Sequence, residues 1–554
     1  MIRITLITHP GTEALELEVR KGTTLKELAD KYQSQLPYRV LAAKVNNRVR
    51  ELTRDITEGS EIAFLDLRTI AVSRIYQNSV SFIYLKAVND ILGDVRVGME
   101  NSLHKGIYTE IKTRNRLTDE DVSRIEKRMR EIVDADVPFI RKTISKKEAM
   151  ELLAGPNHEV KRRMIKRAPH VENLPVYSCE GFLDFFYGQM VPSAGYIEHF
   201  ELRKYRNGVL LRFPERAAPD KVPEFRDDVK LYRAFGEAKK WGNLMGISYT
   251  EDLNQKIETG EYKEIIQISE ALHEKKIAFI ADEIIRKKKR IILISGPSSS
   301  GKTTFAKRLS IQLRVGGEKP LYIGMDDYFV ERYQTPMLPD GSPNFEDVEA
   351  LDIELFTRNM NDLLSGKKVN LPRFNFYEGK KEYGERIIKI SRTQPIIIEG
   401  IHGLNKVLTA GIDEETKYKI YISPFTQLNV DNHNRIPTTD ARLFRRIVRD
   451  HQFRGYTADR TIDQWLKVRA GEDKNIFPFN DEADILFNSA HIYELAVLKK
   501  YAEPLLMTIT QDMDSYSEAF RLLKFLRFFK AIEDDSVIAN NSIIREFIGG
   551  SIFL

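Results

Sequence analysis

The stretch IILISGPSSSGKTTFAKRL, residues 291–309, joins a short apolar run, a loop rich in glycine and serine, and the start of a helical pattern. Its loop matches the pattern G-x-x-x-x-G-K-[ST] in full. Glycines let a backbone wrap closely around phosphate oxygens, and amide groups at the start of the next helix point at the anion. The order of strand, loop and helix therefore predicts a nucleoside triphosphate site in an α/β fold with a doubly wound parallel sheet.

The residues of this loop are the predicted contacts of ATP. Lys302 is expected to reach the β- and γ-phosphates, and the hydroxyl of Thr303 is expected to bind Mg²⁺. The predicted binding residues of the loop are Gly296, Pro297, Ser298, Ser299, Ser300, Gly301, Lys302, Thr303 and Thr304.

Two further apolar runs end in acidic residues, LYIGMDD at residues 321–327 and PIIIEG at residues 395–400. The carboxyl ends of parallel strands meet in the ligand crevice of a doubly wound sheet. One of Asp326 and Asp327 is therefore the candidate base that accepts the proton of a substrate hydroxyl, with a surface helix cap as the alternative. Glu399 is the candidate that holds Mg²⁺, directly or through water.

A stretch with a helical pattern carries four arginines spaced three or four residues apart. Arg442, Arg445, Arg446 and Arg449 fall near one face of such a helix, and Arg454 follows. Such a face can close over a triphosphate and neutralise charge as the phosphoryl group moves. The spacing leaves a solvated basic helix open as the alternative.

Residues 290–510 resemble the uridine kinase and phosphoribulokinase family of P-loop enzymes. The matching segments are GPSSSGKTT (296–304), DYF (327–329), NFE (344–346), PRFNF (372–376), IEGI (398–401), DARLFRRIVRD (440–450) and RG (454–455). The resemblance implies a kinase that uses ATP and Mg²⁺ and transfers the γ-phosphoryl group to a primary hydroxyl of a nucleoside.

The resemblance also implies a role for individual residues. The implied catalytic residues are Asp327, Lys302, Arg446 and Arg449. The implied substrate contacts are Asp327, Glu346, Phe374 and Arg449. Arg454 is implied as a further ATP contact, and Thr303 and Glu399 as the metal ligands.

The departures from the family pattern concern recognition of the base. Glu346 stands where the family has an aspartate for the ribose hydroxyls, and Phe374 replaces a tyrosine that helps to hold the base. Gly379 and Tyr456 stand where the family has a histidine and an arginine. A site that loses hydrogen-bonding groups changes its selectivity. A uridine- or cytidine-like acceptor is therefore the first hypothesis, and another sugar-type metabolite is the alternative.

Residues 1–68 alternate with period two on both sides of a turn and continue with a helical stripe and two short strands, the order ββαββ of a β-grasp fold. They resemble the TGS domain of threonyl-tRNA synthetases, and residues 69–225 resemble the adjacent α+β editing domain. In that family, three histidines and a cysteine form a metal-binding set. The four corresponding positions here are Asn78, Phe82, Cys179 and Leu183. The resemblance thus implies a retained fold without the metal. RNA contact through this half is one hypothesis, and binding of a nucleotide or an amino acid, or a role in assembly, are the alternatives.

The remaining segments and the composition complete the prediction. Residues 226–289 are predicted to be a charged helical connector, and residues 511–554 a helical tail.

The 86 basic and 81 acidic side chains give a net charge of +5, too mild to indicate a nucleic-acid partner. One cysteine excludes an internal disulfide framework, and no apolar run is long enough to span a membrane.

We therefore expect a soluble cytoplasmic protein, and the family resemblance implies a homo-oligomer. An ATP-dependent RNA-binding regulatory protein is the alternative from a different functional class.

Overall fold

The structure is a computed structural model that describes residues 1–9, 11–153, 155, 157–168, 172–338, 341–426 and 428–553. Within these ranges the chain forms a mixed α/β architecture with five sheets. Among the helices described, none is both long and apolar enough to cross a membrane.

The amino-terminal sheet has five strands in the order β2-β1-β5-β3-β4, and β1 and β5 are parallel. Its elements are β1 (Ile2–Ile7), β2 (Leu15–Val19), α1 (Leu25–Tyr32), β3 (Ala42–Val45), β4 (Arg48–Arg50) and β5 (Ser60–Leu65). Alternation along β1 buries Ile4 and Leu6. This arrangement confirms the predicted β-grasp unit. β4 is an additional strand, and its short Arg-Val-Arg sequence carries too little apolar alternation to predict it.

The second region contains two antiparallel sheets, with strand orders β11-β12-β7-β6 and β10-β9-β8. The long helix α2 packs its apolar residues into the same core as the amino-terminal sheet. The elements are α2 (Ile70–Leu92), β6 (Arg96–Leu103), β7 (Gly106–Lys112), α3 (Asp119–Asp134), β8 (Ile140–Ser145), α4 (Lys146–Leu152), α5 (Glu159–Arg167), β9 (Asn173–Cys179), β10 (Phe182–Asp184), β11 (Glu201–Tyr205) and β12 (Gly208–Arg212).

Three helices connect this region to the next sheet. They are α6 (Val229–Leu244), α7 (Thr250–Glu258) and α8 (Tyr262–Arg286). Ile277, Ile280 and Ile284 of α8 are buried in the cluster that covers one face of the following sheet. The connector is thus part of the packing around that sheet.

The carboxy-terminal half is built on a parallel five-stranded sheet in the order β14-β17-β13-β18-β19. Ile291 and Leu293 of β13 belong to one core cluster, and Ile292 and Ile294 belong to the cluster on the opposite face. A strand buried on both faces has a continuous apolar sequence. The doubly wound sheet predicted from residues 291–309 is confirmed.

The elements of this half are β13 (Ile291–Ser295), α9 (Lys302–Val315), β14 (Leu321–Gly324), α10 (Ile353–Leu364), β15 (Val369–Asn375), β16 (Lys380–Ile388), β17 (Ile396–Glu399), α11 (Lys406–Thr409), β18 (Lys417–Ser423), α12 (Thr438–Arg454), α13 (Ala458–Asn475), β19 (Ile485–Asn488), α14 (Glu494–Met507), α15 (Tyr516–Leu526) and α16 (Arg545–Ile548). The strands β15 and β16 form a separate antiparallel hairpin. A short 3₁₀ turn, Met325–Tyr328, follows β14.

Candidate active site

The loop between β13 and α9 passes so close to β18 that it requires glycine. A Cβ atom on Gly296 would lie 2.1 Å from the carbonyl oxygen of Ile422. Gly301, which immediately precedes α9, has a φ of 85° in the left-handed region, where glycine carries no steric penalty. These two glycines shape the loop at the amino-terminal end of α9, where backbone amides favour an anion.

Two hydroxyls and one ammonium group of this loop are candidates to contact a phosphate chain. The hydroxyls of Ser299 and Ser300 are buried without a hydrogen bond to any described residue. The Nζ atom of Lys302 donates to the carbonyl oxygen of Pro297 at 3.2 Å. Because buried hydroxyls are nearly always hydrogen-bonded, these groups fit a bound phosphate chain.

The two predicted metal ligands lie next to each other. Thr303 Oγ1 donates to Glu399 Oε2 at 3.3 Å, and the hydroxyl of Tyr322 donates to the same oxygen at 3.1 Å. Burial raises the pKa of Glu399 to about 7, with Lys302 opposing the shift and Asp326 adding to it. A hydroxyl and a carboxylate are the oxygen ligands that suit Mg²⁺, so the residues present fit this cation.

The two adjacent aspartates after β14 face different neighbours. Asp327 forms an ion pair with Arg386 of β16, with Oδ2 and NH1 separated by 2.6 Å, and its Oδ1 accepts from the amide of Phe374 at 3.4 Å. Desolvation raises the pKa of Asp326, although its side chain still contacts solvent, and the charge of Lys302 opposes the shift. Asp326 therefore lies on the side of the phosphate-binding loop, whereas Asp327 lies beside the β15–β16 hairpin.

Two of the four arginines on α12 support the loop itself. Arg442 is almost fully buried, pairs with Glu472 and donates to the carbonyl oxygen of Ser298 at 3.0 Å. Arg445 is also buried and pairs with Glu494 at 2.6 Å. The alternative of a solvated basic helix is wrong, because these side chains face the loop and not the solvent.

Arg446, Arg449 and Arg454 converge on one buried carboxylate, that of Asp450. Their ion-pair distances to Asp450 are 3.2, 2.9 and 3.4 Å respectively. Arg446 also donates to the hydroxyl of Ser298 at 2.9 Å. Desolvation lowers the pKa of Arg446 and of Arg454, and Arg449 lowers both further. Three cations share one carboxylate beside the loop, so this region can accept further negative charge.

The two predicted acceptor residues have different neighbours, because Glu346 lies near Lys302 and Arg446 whereas the amide of Phe374 donates to Asp327. Glu346 is half-buried, and its Oε2 atom has no hydrogen-bond partner among the described residues. Burial raises the pKa of Glu346 to about 7, with Glu472 contributing. Phe374 packs against Phe329 and Phe376, with ring centroids 5.7 and 5.1 Å away. The predicted acceptor residues thus offer an unpaired carboxyl oxygen and an aromatic surface.

The carboxy-terminal segment contributes a residue that sequence analysis missed. Glu546 of α16 accepts from the amide of Thr304 at 3.1 Å and from its hydroxyl at 2.8 Å. A Cβ atom on Gly301 would lie 2.4 Å from Cγ2 of Ile543, so this segment covers the end of the loop. No local pattern marks this contact, because Thr304 and Glu546 are separated by 242 residues.

Two of the four positions of the synthetase metal set, Phe82 and Cys179, lie in an apolar interior. Phe82 is fully buried and packs against Phe139 and Phe186, at centroid distances of 5.7 and 5.5 Å. Cys179 is buried, and desolvation raises the pKa of its thiol to about 11. A thiol that stays protonated is a poor nucleophile, which favours a packing role for Cys179. Within the described ranges, no group of three or more candidate metal ligands occurs.

Comparisons with known proteins assign the two halves to different relatives. Residues 291–496 match the Phosphoribulokinase / Uridine kinase family. The chain is 30% identical over 196 residues to a threonine–tRNA ligase of Geobacillus kaustophilus, covering 35% of this chain and 30% of that relative. It is 29% identical over 185 residues to threonine–tRNA ligase 1 of Bacillus subtilis, covering 33% and 29% respectively. The chain therefore spans about 30% of the length of these curated relatives.

Solved structures similar to the chain include kinases of different acceptors. A possible uridine kinase from Bacillus stearothermophilus has a TM-score of 0.26 and 22% identity, covering 38% of this chain and 97% of that chain. D-glycerate 3-kinase from Cryptococcus neoformans has a TM-score of 0.21 and 10% identity, covering 45% and 87%. The resemblance of the carboxy-terminal region to the kinase family, and of the amino-terminal half to threonyl-tRNA synthetases, is confirmed by the family and relative matches.

Proposed function

We propose that this protein is an ATP-dependent kinase that transfers the γ-phosphoryl group to a primary hydroxyl of a nucleoside-like acceptor. The observation that carries the proposal is the convergence of Lys302, the carboxylates after β14 and the arginines around Asp450 beside the loop at residues 296–303. A protein that only binds ATP needs no base next to its phosphate site. The match of residues 291–496 to a kinase family supports the same conclusion.

In the proposed reaction, each of these groups has a role. A carboxylate after β14 accepts the proton of the acceptor hydroxyl, whose oxygen then attacks the γ-phosphorus. The bond between the γ-phosphorus and the β–γ bridging oxygen breaks, and ADP leaves. Lys302, Arg446 and Arg449 neutralise the charge of the transferring group, while Arg454 contacts ATP.

Magnesium fits the pair formed by Thr303 and Glu399. When bound, the ion would neutralise phosphate charge. Thr303 and Glu399 would orient it, because the Thr303 hydroxyl already lies 3.3 Å from the carboxylate oxygen. Tyr322 fixes that carboxylate from the other side.

The acceptor side favours a molecule with hydroxyl groups and an apolar or aromatic part. Glu346 supplies a free carboxyl oxygen that can accept from a sugar hydroxyl. Phe374 and Phe376 supply an aromatic surface, and Phe376 is 58% exposed. The lack of a tyrosine hydroxyl at Phe374 keeps another sugar-type metabolite as a second candidate acceptor.

The decisive experiment is a product assay of the full chain with ATP and Mg²⁺ against ribonucleosides, deoxyribonucleosides and simple sugars. We expect one nucleoside monophosphate, and its formation should be almost abolished in Lys302→Ala. A sugar phosphate as the sole product would show that the acceptor is a sugar and not a nucleoside. ATP hydrolysis that requires RNA, without any phosphorylated acceptor, would favour the RNA-binding regulator and contradict the kinase.

A further inference from the structure

A cavity of about 310 Å³ lies outside the kinase site, where the two halves of the protein meet. Its walls come from β4, α2, the loop before α12, and α15. It is lined by Arg50 of β4, Asn78 of α2, Arg435 of the loop and Lys524 of α15, among others. Its volume lies at the lower end of the range of small-molecule sites.

The lining of this cavity is strongly basic. Eight lining side chains are arginine or lysine and three are aspartate or glutamate. Glu51 accepts from the hydroxyl of Tyr177 and from the amide of Met190, while Asp440 and Glu518 pair with Arg74 and Arg521. Among the described residues, the other six basic side chains of the cavity lining have no carboxylate at ion-pair distance. These are Arg48, Arg50, Arg54, Arg141, Arg435 and Lys524.

The unpaired charges are close enough to disfavour one another. Desolvation lowers the pKa of Arg50, with Arg48 and Arg54 adding to the shift. Burial lowers the pKa of Arg435 to about 10. Lys524 likewise has a lowered pKa, first through desolvation and then through Arg48. Bringing unpaired cations together costs free energy unless an anion offsets their charge.

The cavity also has an apolar side. Ile75, Phe186 and Phe525 line it and are almost completely buried. The Arg48 guanidinium and the Lys524 ammonium lie 4.1 and 4.5 Å from the ring centroid of Phe520. An arginine guanidinium can donate two parallel hydrogen bonds to the oxygens of a phosphate. A phosphomonoester carries nearly two negative charges at neutral pH. A cavity with cations at one side and apolar residues at the other therefore suits a small organic phosphate.

We propose that this cavity binds a small phosphorylated metabolite of nucleoside monophosphate size, with its phosphate among the unpaired arginines and its organic part against Phe186 and Phe525. Most of the cations come from β4, α15 and the loop before α12, so both halves of the chain contribute to the site. This ligand is separate from the ATP and acceptor of the proposed kinase.

The site also touches the helix that carries the kinase arginines. Arg521 binds Asp440, in the first turn of α12, through two contacts of 2.7 and 2.9 Å. Arg442 and Arg446 of the same helix contact Ser298 in the phosphate-binding loop. An anion that binds Arg521 would therefore compete with Asp440 for this side chain, and the ion pair between Arg521 and Asp440 anchors the helix.

Calorimetric titration of the full chain with AMP, UMP and inorganic pyrophosphate tests the proposal. We expect at least one nucleoside monophosphate to bind, and the double variant Arg50→Ala, Arg435→Ala should weaken that binding at least about tenfold. Lys302→Ala in the kinase loop should leave it unchanged, as should Arg358→Ala on the exposed face of α10. Circular dichroism and thermal melting establish that each variant is folded.

The competing outcomes are distinguishable. A nucleoside monophosphate is also the expected kinase product, so the proposal concerns the binding event that the double variant weakens. Binding that is unchanged in the double variant, or that is lost in Lys302→Ala, belongs to the kinase site and would overturn the proposal. Absence of binding by every probe at millimolar concentration would overturn it as well. An RNA oligonucleotide is titrated as a further probe. If it binds and no small phosphate does, the ligand is RNA and not a small phosphorylated metabolite. None of these outcomes decides whether the kinase proposal holds, because that proposal rests on product formation.

Discussion

Asp326 and Asp327 are adjacent in sequence, but they have different electrostatic surroundings. Asp327 forms an ion pair with Arg386, with Oδ2 and NH1 2.6 Å apart. Asp326 has a raised pKa and lies near Lys302. Family resemblance favours Asp327 as the base, whereas the position of Asp326 near Lys302 of the phosphate-binding loop favours Asp326.

Separate substitutions decide between the two aspartates. We expect the variant of the true base, Asp326→Asn or Asp327→Asn, to lower kcat by about 10²–10⁴-fold, the usual contribution of a general base. The other variant should change KM more than kcat. Steady-state kinetics with both substrates measure this, and Glu354→Gln, which is exposed on α10, is the control. Equal loss of kcat in both variants would contradict a single base.

Also at the scale of single residues, the raised pKa of Glu399 predicts that Mg²⁺ binding depends on pH. Its pKa is raised to about 7, so the carboxyl becomes protonated as the pH falls through that value and loses its affinity for a cation. Apparent Mg²⁺ affinity in the presence of ADP should therefore rise with pH and level off above about 7. In the Glu399→Gln variant only the titration of the nucleotide remains, so the difference between the two curves isolates this carboxyl. Parallel curves would contradict the assignment.

At the scale of elements, α16 is placed so that Glu546 caps α9 where an anion would bind. Its carboxylate occupies the amide and hydroxyl of Thr304, both of which are predicted ATP contacts. A carboxylate at this position repels a phosphate chain and competes for the same donors.

Removal of this charge is expected to strengthen nucleotide binding. Glu546→Gln should lower the Kd of ATP by about tenfold, which corresponds to about 1.4 kcal/mol. Fluorescence titration with a labelled ATP analogue measures the change. Glu533→Gln, exposed in the same carboxy-terminal segment, should have no effect. Unchanged or weaker ATP binding in Glu546→Gln would show that the contact does not compete with the nucleotide.

At the scale of the whole molecule, a buried ionic cluster joins the synthetase-like half to the kinase half. Asp184 of β10 pairs with Lys161 of α5 and lies 2.5 Å from Nδ1 of His433, in the loop before α12. Lys161 and His433 are the main charges that hold the pKa of Asp184 well below its usual range. The two halves are therefore joined by a charge network that water does not screen.

Breaking this cluster should destabilise the protein strongly. Asp184→Asn leaves the buried Lys161 with only the more distant Asp431, 3.8 Å away, as a carboxylate partner. Loss of one member of a buried ion pair typically costs about 3–5 kcal/mol. Because the pKa of Asp184 is lowered by folding, its stabilising effect is present above the unfolded pKa and is lost as the pH falls through the folded pKa. Urea denaturation at neutral pH measures the loss, with Asp282→Asn, exposed on α8, as the control. A change below about 1 kcal/mol would contradict this account.

The sheets could be predicted where local pattern and burial agree. Ile291 to Ile294 form a run that only a strand buried on both faces explains, and Ile4 and Leu6 alternate as a half-buried strand requires. β4 could not be predicted, because its short Arg-Val-Arg sequence lacks the apolar alternation of a strand. Arg48 and Arg50 line a cavity that is formed with distant elements.

The sequence by itself determined the phosphate-binding loop, because glycine spacing, a preceding apolar strand and a following helix are local properties of the backbone. It also indicated the carboxylates at the ends of β14 and β17, since parallel strands present their carboxyl ends together. Only the tertiary structure decided that Asp327 faces Arg386, that three arginines share Asp450, and that Glu546 reaches Thr304. These contacts depend on how separately predictable elements pack, and packing joins side chains across hundreds of residues without leaving a local pattern.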